Sequence, residues 1–125
     1  MQTFPDIRLS LAANTWVKQM HFAKAGCLNP GHKHSFDHQS LLALGSVKVT
    51  VNGEDTIFNA PHIIFIGAGH EHTMVSLEDN TIVYCIHALR DGERVEDIIH
   101  PDDVPNGVMP LIEGRGNQLI PVESV

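Results

Sequence analysis

The chain's most regular stretch is Val47-Lys48-Val49-Thr50-Val51, apolar at odd positions and polar at even ones, with Asn52-Gly53 directly after it. Alternation with period two puts one face of a strand in a core and the other in water. Asn-Gly tolerates the positive φ that a type I′ turn asks of both central residues, so the pair predicts a hairpin returning through Thr56-Ile57-Phe58. Similar short runs recur. Trp16 to Lys24 alternates loosely and is closed by Ala25-Gly26 and Asn29-Pro30-Gly31. Ile63 to Ile66 follows the turn Ala60-Pro61, reads as a strand buried on both faces, and is broken by Gly67-Ala68-Gly69. His72 to Val75 and Thr81 to His87 flank the turn Glu78-Asp79-Asn80. Short strands with Gly, Pro and Asn at the joints predict an all-β barrel or sandwich.

After Arg90 the pattern changes. Asp91 to His100 predicts one short helix, with Val95, Ile98 and Ile99 on one face and Pro101 ending it. Beyond it, Pro101, Pro105, Pro110 and Pro121 are too frequent for a regular element, yet Val108, Met109, Leu111, Ile112, Leu119 and Ile120 are apolar. An irregular extension lying on the barrel or on a neighbouring subunit is the expectation. The 125 residues suffice for one domain, 1–125, with a barrel core over about 15–90 and an extension over 91–125.

Charge excludes several partners. The formal net charge is -7, and the 8 Lys and Arg form no basic stripe, which argues against nucleic acid. No apolar run approaches the roughly 20 residues of a membrane span and no leader pattern opens the chain, so a soluble, cytoplasmic protein is expected. Cys27 and Cys85 form no CxxC pair and are read as reduced, Cys27 as a buried inert thiol.

Candidate chemistry comes from nine histidines. Residues two apart on a strand share a face, so His32 and His34 point the same way, and His38 keeps their parity if the strand continues. After Gly67-Ala68-Gly69 the chain offers His70 and His72, again on one face, whereas Glu71 has the opposite parity. Three or four neutral imidazoles are strong donors to iron, nickel, copper or zinc and leave positions open for substrate or water.

These residues resemble the two motifs of the cupin superfamily. The first, G-x5-H-x-H-x3,4-E-x6-G, is met by Gly26, His32, His34 and Gly45, with His38 in the glutamate place. The second, G-x5-P-x-G-x2-H-x3-N, keeps Gly69 and His72, while Pro61, Gly67 and Ser76 stand where it has glycine, proline and asparagine. The resemblance covers about residues 15–88 and implies a double-stranded β-helix, or jelly-roll barrel, with a divalent transition metal on His32, His34, His38 and His72.

His38 in place of a carboxylate alters the expected chemistry. Four neutral ligands leave a divalent site near +2 rather than +1, favouring an enolate, a catecholate or a carboxylate. The leading expectation is a non-haem Fe(II) dioxygenase acting on a small molecule. The alternatives are a lyase or isomerase using Zn, Ni or Mn as a Lewis acid, or a non-catalytic small-ligand-binding module; copper also suits such ligands. Without a carboxylate ligand, a general base would come from Tyr84, His21, His87 or a metal-bound hydroxide. Either Ile82, Tyr84 and Ile86 or Val83, Cys85 and His87 face the interior, and His21, Lys18 and Gln19 pose the same choice on the first strand. His62 and His100 stand beside prolines and read as structural or solvated. A homodimer is expected.

Overall fold

The computed structural model describes residues 1–32, 38–67, 69–93, 111–115 and 118–122. Eleven strands lie among them and no helix: β1 (Asp6–Ala12), β2 (Thr15–Phe22), β3 (Leu28–His32), β4 (His38–Leu44), β5 (Ser46–Val51), β6 (Glu54–Asn59), β7 (His62–Ile66), β8 (His72–Ser76), β9 (Thr81–Ala88), β10 (Leu111–Arg115) and β11 (Gln118–Val122). They form a seven-stranded sheet in the order β11-β10-β1-β2-β9-β4-β7 and a four-stranded sheet in the order β3-β8-β5-β6.

One face of each sheet builds the core. Along β2 the residues alternate half-buried and buried, which sends Trp16, Lys18, Met20 and Phe22 inward. They join Leu42 of β4 and Val83 of β9, and from the four-stranded sheet Val47, Val49 and Met74. Full burial of each large apolar side chain contributes roughly 1.5–3 kcal/mol, so the strand parities are fixed by the need to bury these residues together.

The hairpin expected after Val51 is present. Val51 pairs with Glu54, and Asn52 and Gly53 take φ of 49° and 82°. A Cβ added at Gly53 meets nothing within 4 Å, so only the backbone conformation resists a side chain there. Gly53→Ala is expected to lower stability by about 1 kcal/mol, read as a shift of the urea midpoint with unchanged slope. A larger loss would mean that the turn packs against something beyond its own strands.

Several expectations are corrected. β7 is not buried on both faces: Ile64 and Ile66 are, but Ile63 and Phe65 are each 66% exposed, because β7 ends the larger sheet and presents one face outward. The strand does not continue from His32 to His38. β3 belongs to the small sheet and β4 to the large one, so the two strands share no common parity. The tail is more regular than its prolines suggested. β10 pairs in parallel with β1, and β11 returns on it with Pro121 opposite Ile112. β1 itself lies before the expected core. Of the expected helix, residues 91–92 form a turn and residues 94–100 lie outside the described residues.

Candidate metal centre

His72 opens β8 and is only 4% exposed, on the inward side with Met74 and Ser76. The preceding turn uses Gly69 at φ 78°, and the amide of His70 donates to the carbonyl of Gly67 at 3.4 Å. This leaves the His70 carbonyl 3.3 Å from His72 Nδ1. A carbonyl only accepts, so Nδ1 carries the proton and Nε2 carries the lone pair. Metal-bound histidines are held in the same way by a carbonyl or carboxylate on the other ring nitrogen. His70 itself is exposed and contributes its backbone.

The ladder places His32 directly opposite His72. Opposed positions of an antiparallel pair share a sheet face, with Cβ atoms about 4.5–5.5 Å apart, which is close enough for two imidazoles to share one ion. On the large sheet, residue 38 opens β4 at the parity of the buried Ser40 and Leu42, opposite Ile66. Extending the Gln39–Ile86 pairing by one step sets residue 38 against residue 87. The chain passes from the small sheet to the large one after β3 and back after β7, so positions 32, 38 and 72 lie at the strand ends beside these two crossings, with position 87 level with 38. His34 lies in the first crossing, outside the described residues. Among the described residues no three metal-donor side chains cluster, and of the four proposed ligands the side chain of His72 alone is among them.

The strand parities also decide between the acid–base candidates. Val83, Cys85 and His87 face inward, so Tyr84 and His21 lie on the outer side, at the positions paired with Gln19 and Ile82. His21 Nε2 lies 3.2 Å from Asn80 Oδ1 and serves the turn after β8. The reason is packing: Trp16, Met20 and Phe22 claim the inner face of β2, and the residues between them must turn outward.

His87 remains, 5% exposed, its Nε2 3.1 Å from both oxygens of Glu93. Glu93 returns to the strand end through a turn in which Gly92 has φ 86° and the Glu93 amide donates to Arg90 O at 3.0 Å. Sequence reading passed over Glu93, although Asp91-Gly92 is a turn signal that could have found it. The Arg90 amide, donating to Oε1 at 2.6 Å, holds the Glu93 carboxyl below the usual range, with His87 adding to this against partial desolvation. A carboxyl depressed in the folded state stabilises it above the unfolded pKa, and the benefit is lost as pH falls through the folded value. Glu93→Gln should therefore flatten the acid limb of the melting temperature against pH, below roughly pH 4.3, and leave the neutral plateau in shape. An unchanged acid limb would deny Glu93 that role.

Among the buried described residues the polar or charged ones are Lys18, Asn29, Ser40, Ser46, His72, Ser76, Thr81 and His87. Lys18, 3% exposed, pairs across the ladder with Cys85, whose Sγ lies 3.3 Å from Ser40 Oγ. Cys27 is buried and also free; its Sγ lies 3.2 Å from Thr3 Oγ1. A groove of about 490 Å³ runs along the rim beside His87, lined by Gln39, Phe65, Ile86, Leu89 and Arg90.

No family model matches the chain, and no curated protein matches it in sequence. Solved structures do match its fold. KdgF from Halomonas sp. superposes with a TM-score of 0.60 at 17% identity, covering 70% of this chain and 81% of that one. A cupin superfamily protein from Desulfitobacterium hafniense gives 0.61 at 10% identity, covering 72% and 82%. An RmlC-like cupin family protein with a double-stranded β-helix fold, from Methanocaldococcus jannaschii, gives 0.60 at 9% identity, covering 69% and 81%. At such identities the likeness is one of fold.

Proposed function

We propose that this chain, a protein of the cupin fold, is a metal-dependent enzyme of the non-haem iron dioxygenase type that acts on a small anionic or enolisable molecule. The observation that carries this reading is the inner face at one end of the barrel. There position 32 stands opposite His72, position 38 falls level with His87, and Lys18 is among the buried described residues. The residues fit a divalent metal: His72 has its Nδ1 proton engaged by a carbonyl, and His32 stands opposite it. Held by His32, His34, His38 and His72, Fe(II) would supply coordination sites for a chelating substrate and for O2, and no carboxylate ligand would offset its charge.

The chain's own residues do the rest. The Lys18 ammonium receives the anionic end of the substrate. His87 takes the proton that an enol or catechol gives up on binding. Trp16, buried and cross-strand from His87, walls the site and keeps water from the reacting end.

The test is oxygen consumption by the Fe(II)-reconstituted protein with a panel of enols, catechols and thiols. Turnover under strict anaerobiosis would instead establish the lyase or isomerase reading, with the metal as Lewis acid. If no substrate turns over while chelation lowers the melting temperature, the protein is a binding module. Lys18→Met should raise KM for an anionic substrate about 10- to 100-fold, the equivalent of a charge-assisted hydrogen bond of roughly 1.5–3 kcal/mol. An unchanged KM would place the anion elsewhere.

The same reading includes a homodimer. The outer positions of β4, β7 and β9 carry Gln39, Leu41, Leu44, Ile63, Phe65, Ile82, Tyr84 and Ile86, an uncharged face on a chain of net charge -7. Stable dimers bury about 800 Å² per partner, roughly a tenth of the 7494 Å² surface. Phe65→Glu should shift the protein to monomer in sedimentation at about micromolar concentration. A wild-type monomer there would refute the dimer.

A further inference from the structure

We infer that Glu93 is a positioning residue that fixes the tautomer of His87, so that Nδ1 becomes the basic atom of that ring. The inference rests on the reading of His87 as the proton acceptor of the site. Its warrant is geometric. His87 Nε2 lies 3.1 Å from both Glu93 oxygens, and a carboxylate only accepts, so Nε2 holds a proton. A neutral imidazole has one proton, and engaging Nε2–H in this way gives Nδ1 the lone pair. The carboxylate is itself held. Glu93 Oε1 accepts the Arg90 amide at 2.6 Å, and the Glu93 amide donates back to Arg90 O at 3.0 Å, closing the turn on itself. The strand end is tied in as well, since the Leu89 amide donates to Asn14 O at 2.7 Å.

The arrangement orders the ring before any substrate arrives. His87 ends the inward row Val83, Cys85, His87, and its cross-strand neighbour Trp16 is buried. A ring in such a packed position has few rotamers, so the choice left open is which nitrogen carries the proton. Glu93 makes that choice from the turn after β9, six residues along the chain.

The experiment is an imidazole proton–nitrogen correlation spectrum of the Zn(II)-loaded protein at mildly alkaline pH, run on wild type, Glu93→Gln and Glu93→Ala. Wild type should show His87 as a single tautomer protonated on Nε2. Glu93→Gln should lose it, because with Oε1 still accepting from Arg90 N the amide nitrogen replaces Oε2 beside His87 Nε2 and only donates. Glu93→Ala should give a mixture of tautomers, with a backbone spectrum unchanged outside the turn. In the Fe(II) protein, kcat should fall about 10- to 100-fold in both Glu93→Ala and Glu93→Gln, with KM little moved. Protonation on Nδ1 in wild type, or an unaltered tautomer in Glu93→Ala, overturns the positioning role. A tautomer that changes while kcat does not also overturns it, by removing His87 from the chemistry. Absence of turnover in all three proteins with the expected spectra would instead count against the dioxygenase reading and leave the tautomer assignment standing.

Discussion

His72→Ala is expected to abolish binding at the proposed metal centre, with affinity falling at least about 100-fold. Loss of a mere outer partner to a metal-bound histidine typically costs 10- to 100-fold, and His72 is proposed as a ligand itself. The physical basis is the 3.3 Å contact between His72 Nδ1 and the His70 carbonyl, which dedicates Nε2 to the interior at the position opposite His32. Elemental analysis of untagged protein and a chelator competition would measure the loss. A buried residue replaced by alanine also leaves a cavity, so Met74→Ala on the same strand is the control. It should lose about 2–5 kcal/mol of stability and keep its metal. Metal that binds only the folded state adds about 2.7 kcal/mol at a hundredfold excess over Kd, so chelation should lower the melting temperature of wild type and not of His72→Ala. Wild-type metal content in His72→Ala would sink the proposed centre. His38→Ala asks the narrower question, and unchanged affinity there would reduce the site to three histidines.

Gly45→Ala should be the most destabilising Gly→Ala change among the glycines at positions 26, 45, 53, 67, 69 and 92, at about 2–4 kcal/mol. Two costs add. Gly45 has φ 85°, where a side chain is strained by about 1 kcal/mol, and overpacking a filled core costs a further 1–3 kcal/mol. The added Cβ would overlap Thr81 Oγ1 and come within 2.9 Å of Thr81 Cβ and 3.0 Å of its Cα. Thr81 cannot yield cheaply. It is fully buried, and its hydroxyl donates to Glu78 O at 2.9 Å. A fall in melting temperature on the order of 10 °C is expected, against about a third of that for Gly53→Ala. Equal losses in the two variants would show that the Thr81 contact yields freely and that only the backbone conformation matters.

Gly45 shows how a sequence pattern and its cause can lie on different levels. It closes the first motif, and nothing near it in the chain explains why glycine stands there. The reason is Thr81, thirty-six residues later, packed against its α-carbon. Gly53 is the opposite case, because the Asn-Gly pair contains its own explanation and the positive φ values follow from it. Glu93 lies between the two cases: Asp91-Gly92 marks the turn that carries it, but its role comes from a carboxylate meeting the end of β9.

Periodicity and turn chemistry were legible because they are local. The β5–β6 hairpin, the strands β8 and β9 and the joints between them all follow from which residues tolerate which backbone conformation and which must leave water. The candidate ligands were legible as residue types at a spacing. Three matters were decided by the tertiary structure. Which face of β2 and β9 looks inward depended on the joint burial of Trp16, Met20, Phe22 and Val83, and this put Lys18 and His87 inside and His21 and Tyr84 outside. Whether β7 was covered depended on its place at the end of a sheet. That residue 32 stands opposite residue 72, and that residue 38 falls level with residue 87, depended on ladders between distant strands. A sequence states what each segment can bury and donate; the assignment of faces and partners is a property of all the strands at once, because a one-residue change of register reverses every side chain on a strand.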